Sequence, residues 1–379
     1  MLFRSSKNGW KMGFFAGNNG ANWRATGSTW RKTAFEELET IVSLAPDMGV
    51  TSLYSDYVLP IAHHYERNDL MLQSRVPYLQ VLNEAVPPLG EAVDDWEANR
   101  RLAEAISRRA KERNIKPIQD AVDGRTVRRD YTKTLELYTM GGRVNNSKDV
   151  AQFIINASHG IPKISFEELS QKGIVKVEGV ENTMWEKDES PYHNEIVKSV
   201  KKKLPYETFT GRQQFYIDHE WFIEFGETLP TFKEPLKIDE FPLRMMMGHA
   251  RHGIHSTWRD DSFLLSLQRG EPDIYVNPDD ATNRGVQDGD MIRVYNTAGE
   301  FFAMAHVSSG IQPGMLFMYH GWDPKMFKGD KNFSEVIPTG GLIKPTSMAG
   351  DYGHLGYQPL AFAPNQTYKD FTCDFEKSA

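Results

Sequence analysis

Short apolar strands that break into polar or glycine-rich turns and give way to helices constrain the amino-terminal third of this chain more than any other feature. Met12 to Ala16 runs into Gly17-Asn18-Asn19-Gly20, Ala34 to Leu38 opens a helical stretch, Thr40 to Leu44 reads as a second strand, and Tyr54 to Leu59 stops at Pro60. Strands alternating with helices argue for an α/β unit with a parallel sheet. In open α/β sheets ligands sit outside the carboxyl ends of the strands, so a ligand is expected at these turns. Asp94 and Asp95 then cap a helix whose Leu102, Ile106 and Ala110 share one face, and its basic end, Arg108 to Arg113, suits the helix dipole.

Residues 116 to 205 are less periodic and more charged. Lys201-Lys202-Lys203 reads as a solvated face. Ile161 to Leu169 reads as a turn and a helix that Ser165 caps, with Glu167 and Glu168 in its first turn. Beyond Pro242 the texture changes to short strands: Asp273 to Val276, Met291 to Tyr295, Phe301 to Val307 and Met315 to Tyr319. Asn277-Pro278 opens a short helix and Gly285 stops it. Gln287-Asp288-Gly289-Asp290 and Thr297-Ala298-Gly299-Glu300 reverse the chain between strands. The expected class is therefore α/β, with a partial parallel α/β sheet over 1–115 that looks like half a sheet, a connecting region over 116–240, and a carboxyl-terminal β-barrel over 241–379.

A length of 379 residues allows two or three cores at about 100 to 200 residues per domain. The net charge of −7 disfavours nucleic acid as a partner, because phosphate binders carry excess lysine and arginine. One cysteine, Cys373, excludes a disulfide framework or an iron–sulfur cluster built from this chain alone. No apolar run approaches the roughly 18 residues of a membrane span.

The densest chemistry lies in Met247-Gly-His-Ala-Arg-His-Gly-Ile-His-Ser-Thr257, where histidines, Arg251, hydroxyls and glycines suit a polyanion. A metal cluster of His249, His252 and His255 is the first alternative. Their spacing fits one face of neither a helix nor a strand, and no cysteine or acid lies between them to complete a closed site, so no metal is assigned. Ordinary surface histidines near a turn are the second alternative.

Leu53-Tyr-Ser-Asp-Tyr-Val-Leu-Pro60 through Tyr65-Glu66-Arg67, then Gly211-Arg-Gln-Gln214, Gly253-Ile-His-Ser-Thr257, Tyr319-His320 and Lys344-Pro-Thr346 occur in the order seen in catalytic subunits of molybdopterin oxidoreductases. The chain resembles the carboxyl-terminal part of the nitrate reductase branch of the dimethyl sulfoxide reductase family. That branch includes chlorate, perchlorate and selenate reductases, dimethyl sulfide dehydrogenase, and ethylbenzene and steroid dehydrogenases. His354, where nitrate reductases have glutamine, is similar to the hydrocarbon-oxidising and oxyanion-reducing relatives.

The resemblance implies a double-psi type barrel and a molybdenum bis(molybdopterin guanine dinucleotide) cofactor. It places cofactor contacts at Asn18, Arg67, Asp95, His249, Ile254, His255, Ser256, His320 and Asn365, and leaves the catalytic residues unknown. Nitrate reductases carry lysine at the position of Arg67, and a histidine near Gly340 and Gly341. Arg67, Arg251 and the Gly17 to Gly20 turn suit pyrophosphate, and Asp95 suits the N–H edge of guanine. On residue type alone, Asp95 is equally a helix cap, Asn18 a turn residue, and His320 a satisfied, half-buried histidine.

By the same resemblance the iron–sulfur cluster belongs to a missing amino-terminal part or a partner. The expected partners are that part, an iron–sulfur beta subunit, a heme gamma subunit and a small-molecule substrate. Relatives work on the periplasmic or the cytoplasmic face of a bacterial membrane complex, and the location of this one is open. The leading function is oxygen-atom transfer or hydroxylation coupled to electron transfer. The alternatives are a non-catalytic carrier of the finished dinucleotide, favoured if residues 1–379 alone fold as a soluble cooperative monomer, and a structural barrel adaptor that purifies without nucleotide.

Overall fold

The computed structural model describes residues 11–23, 27–72, 78–122, 125–177, 199, 203–206, 210–213, 215–218, 223, 228–229, 240–259, 261–267, 270–337, 343–345, 354–356 and 370–378. Packing divides the chain into one unit of residues 1–58 with 214–379 and a second of 59–213. The division falls at 58/59 and 213/214, where the sequence placed boundaries near 115 and 240.

At the start of the first unit, β1 (Met12–Ala16) pairs in parallel with β2 (Thr40–Ala45), Met12 opposite Thr40 and Ala16 opposite Leu44. A third strand, β3 (Tyr57–Pro60), completes the order β1-β2-β3. The parallel sheet expected from the alternation is present. The helical stretch sits a few residues earlier than expected, as a π-type turn over Trp30–Phe35, and residues 36–37 form the turn towards β2. Phe35 and Ile41 bury with Ala21 and Val50 between the sheet and its short helices.

The second unit builds a small antiparallel sheet from β4 (Asp69–Leu72), β5 (Tyr78–Leu82) and, across the hairpin of β6 (Ile118–Val122) and β7 (Arg125–Arg129), β8 (Ile174–Lys176). Leu79, Ile155, Ile164, Leu169 and Val177 form its core. Three helices carry that core and its flanks: α1 (Asp95–Glu112), α2 (Ser147–Ala157) and α3 (Phe166–Lys172). Ser165 and Glu168 form the capping box foreseen for α3. In α1 the buried face is Ala98, Ala103, Ser107 and Ala110, while Leu102 is exposed. Small side chains let neighbouring backbone approach there, and Leu135 N–H donates to Ser107 Oγ at 2.9 Å.

The remainder of the first unit is a closed six-stranded barrel of β9 (Leu243–Gly248), β10 (Asp273–Val276), β11 (Met291–Asn296), β12 (Gly299–Val307), β13 (Met315–Tyr319) and, after the short pair β14 (Ile343–Pro345) and β15 (His354–Gly356), β16 (Asp370–Lys377). Side chains two apart point into it: Leu243, Met245 and Met247; Ile292 and Val294; Phe301, Ala303 and Ala305; Phe371, Cys373 and Phe375. Two neighbouring pairs run parallel, β10 with β12 and β9 with β13. Asn277 caps the short helix Pro278–Asn283, and Gly285 stops it at φ +65°, as the sequence indicates.

Buried polar ties hold residues 20–31 to the barrel segment 322–335. Arg31 pairs with Glu335 at 3.4 Å and donates to the carbonyls of Ala21 and Asp330. Asn22 donates to Asp323 at 2.9 Å and accepts from Asn332 at 2.9 Å. Removing one partner of such a buried ion pair costs about 3–5 kcal/mol, so these ties are sensitive points in the packing of residues 20–31 on the barrel segment.

Candidate functional site

Two parallel strands end side by side. β13 pairs with β9 so that Tyr319 lies opposite Gly248, and the next residue on each strand is a histidine, His320 and His249. The carboxyl ends of parallel strands thus deliver two imidazoles to one rim of the barrel. His320 is fixed twice to the facing strand: its backbone N–H donates to Gly248 O at 3.0 Å and its Nδ1 to the same oxygen at 2.7 Å. Because a carbonyl only accepts, His320 donates from Nδ1, and in the neutral imidazole Nε2 is then the lone pair. His255 Nδ1 meets that Nε2 at 3.0 Å.

The loop that brings His255 there is tightly turned. Thr257 N–H donates to Ile254 O at 2.9 Å, and His255 and Trp258 adopt φ of +52° and +58°. Left-handed backbone at non-glycine residues costs of order 1–3 kcal/mol, so the surroundings must enforce it. Arg259 enforces it. Only 2% exposed, its guanidinium donates through Nη2 to His320 O at 2.6 Å and through Nε to His255 O at 3.3 Å, and it stacks over Trp322 at 4.6 Å. Burial pulls its pKa below the ordinary arginine value, and the Asp323 carboxylate opposes that shift. Gly321, at φ +97°, completes the fit, because a Cβ there would lie 1.9 Å from His255 O.

The result is a triangle of imidazoles. Ring centroids lie 4.6 Å apart for His249 and His255, 4.4 Å for His249 and His320, and 5.2 Å for His255 and His320. His252, counted with the cluster in the sequence, is exposed and outside it, and His320 takes its place. Ile254 projects outward, 64% exposed beside the rings.

The turn after β1 reaches the same loop. Asn19 Nδ2 donates to Ser256 Oγ at 2.8 Å, and its Oδ1 accepts from Thr51 N–H at 2.9 Å. Asn18 is exposed beside it, and Gly17, not Asn18, takes the left-handed position at φ +59°. Asn19 and Arg259 were not singled out from sequence. Asn19 enters the sequence reading only as part of the Gly17 to Gly20 turn, and nothing local marks Arg259 as buried.

Arg67 and Asp95 lie together in the other unit, where Arg67 Nη1 donates to Asp95 Oδ2 at 2.5 Å. Asp94 is the cap of α1, accepting from Glu97 N–H at 2.8 Å, so Asp95 is free of capping duty. Arg67 Nε is buried without a hydrogen-bond partner. Asn365, Gly340 and Gly341 lie outside the described residues.

Residues 2–105 match the family model described as molybdopterin oxidoreductase, and residues 243–348 match the molydopterin dinucleotide binding domain. The respiratory nitrate reductase subunit alpha of Haloferax mediterranei is 34% identical over 90% of this chain and 36% of its own length. The dimethylsulfide dehydrogenase subunit alpha of Rhodovulum sulfidophilum is 34% identical over 92% and 38%. The chain spans a little over a third of the length of these relatives. Among solved structures, acetylene hydratase from Pelobacter acetylenicus superposes with a TM-score of 0.63 at 15% identity, over 100% of this chain and 45% of that one, a likeness of fold.

Proposed function

We propose that this chain, which belongs to the molybdopterin oxidoreductase family, is the cofactor-holding portion of a catalytic subunit that couples oxygen-atom transfer or hydroxylation to electron transfer. The cofactor is a molybdenum bis(molybdopterin guanine dinucleotide), which when bound supplies the two-electron and oxygen-atom chemistry. The residues present fit it. Its pterin edges alternate donors and acceptors, as the His249, His255 and His320 rings do, and the exposed Ile254 side chain offers an apolar face beside them. Asn18, Ser256 and the Gly17 to Gly20 turn supply neutral donors to a pyrophosphate.

In the second unit, Arg67 gives a cation for phosphate while Asp95 accepts the two N–H groups of guanine, after their mutual ion pair opens. Asn365 joins the set on the family resemblance alone. The proposed division of labour is a cofactor-binding α/β part over 1–115, a connection over 116–240, and the dinucleotide-binding barrel over 241–379. Electrons would be exchanged with an iron–sulfur beta subunit and a heme gamma subunit.

The single observation that carries this reading is the Asn19–Ser256 hydrogen bond, which joins the turn after the first parallel strand to the histidine loop 237 residues away. Both expected ligand-binding features therefore share one surface. His255→Ala, purified from a host that makes the cofactor, is expected to lose most of its molybdenum and its acid-releasable guanine nucleotide while staying folded. Unchanged contents per chain would contradict the proposal.

A further inference from the structure

We infer that the cofactor-free chain binds a divalent first-row transition ion such as zinc on His249, His255 and His320. One ring nitrogen from each lies within 4.8 Å of the other two. Zinc holds imidazole nitrogens at about 2.0–2.1 Å, so tetrahedral ligands sit roughly 3.3 Å apart. The 3.0 Å between His255 Nδ1 and His320 Nε2 is already close to that spacing.

His320 is oriented as a ligand is. In the neutral imidazole its Nδ1–H donates to Gly248 O at 2.7 Å, which fixes the tautomer and leaves Nε2 facing His255 Nδ1 as a lone pair, the arrangement that second-shell carbonyls give to zinc histidines. His255 becomes a ligand by moving its proton from Nδ1 to Nε2, so the ion replaces one N–H···N hydrogen bond and no net proton is released. The backbone beneath is fixed before any ion arrives, because Arg259 ties the carbonyls of His255 and His320 together. Asp323 balances the charge of Arg259. Three imidazoles leave a fourth position open to water, the pattern of open rather than closed zinc sites.

An ion held here would take up the histidines that the proposed function assigns to the cofactor, so the two would exclude one another. That exclusion alone rests on the proposed function; the ion site does not.

The test is a titration of the full chain, freed of cofactor and chelator, with cobalt(II) alone, followed by visible absorption. The expected result is one ion per chain with the intense visible bands of four-coordinate cobalt, lost on adding one equivalent of zinc. His249→Ala, His255→Ala and His320→Gln should each weaken binding by about tenfold or more, and His252→Ala should leave it unchanged. Circular dichroism of each variant confirms that it is folded, and His320→Gln keeps an amide donor for Gly248 O where alanine would not. Only weak, six-coordinate-like absorption, or an equal loss in His252→Ala, would overturn the inference. Because cobalt absorption needs no molybdopterin, its failure leaves the cofactor reading intact, and a chain that takes cobalt but never retains guanine nucleotide fails only that reading.

Discussion

A buried arginine with two backbone carbonyls in its grip sets the geometry of this rim. Arg259 reaches His255 O and His320 O with a planar fork that lysine cannot reproduce, since an ammonium is a point charge on a flexible stem. Arg259→Lys is expected to lower stability by about 1–3 kcal/mol through the unmatched carbonyls, and to lower cofactor retention with it. Chemical denaturation midpoints check the first and molybdenum analysis the second; a variant with both unchanged would show that the loop holds itself. At this scale the sequence was legible where chemistry is local. His249, His255 and Ser256 stand out by residue type in the Met247 to Thr257 stretch, although their spacing fits one face of neither a helix nor a strand. His320 needed the family resemblance, because only the β9–β13 register brings it to the loop. Arg259 carries no local mark at all, since its burial against Trp322 comes from long-range packing. Between Asp94 and Asp95, which residue caps depends on the entry angle of one peptide, and two adjacent aspartates hide that.

Among the elements, strands were easier to read than their partners. Alternation identifies the inward faces of β11, β12 and β13, whereas the two parallel pairings in the barrel arise from crossovers that no short window contains. Helix α1 shows the opposite failure. Of the expected Leu102, Ile106 and Ala110 face, Ala110 is buried and Leu102 is exposed, and the packed face is an alanine and serine stripe, because close backbone approach won over side-chain bulk. The exposed flank of α1 is instead an ion-pair ladder centred on Glu97. Hydrogen bonding by Arg100, opposed by burial and reinforced by Arg101, holds the Glu97 carboxyl down to about 2 from its usual 4.5. A depressed carboxylate pKa stabilises the fold above its unfolded value, and the contribution is lost as pH falls through the folded value. Stability of the 59–213 unit should therefore decline between about pH 4.5 and 2, read as helical circular dichroism against denaturant. Glu97→Gln should flatten that slope, and an equally steep slope in the variant would assign it to other carboxylates.

For the whole molecule, packing order departs from chain order. Residues 1–58 join the barrel formed by the far end of the sequence, through Arg31–Glu335 and the Asn22–Asp323–Asn332 chain, and composition gives no hint of such a closure. The barrel core supplies its own reporter. Cys373 is fully buried on β16, and desolvation pushes its thiol well above the ordinary value. A thiol reagent should leave it untouched in the native state and react only as fast as the barrel opens. Rapid labelling without denaturant would mean that β16 does not close the barrel in solution. The claim on which the functional account turns is tested most directly by an experimental map of the cofactor-loaded protein. Density for a pterin dinucleotide lying against both the Asn18–Asn19 turn and the His249–Ser256 loop is the predicted result, and a cofactor that touches neither, or only one of them, would contradict it.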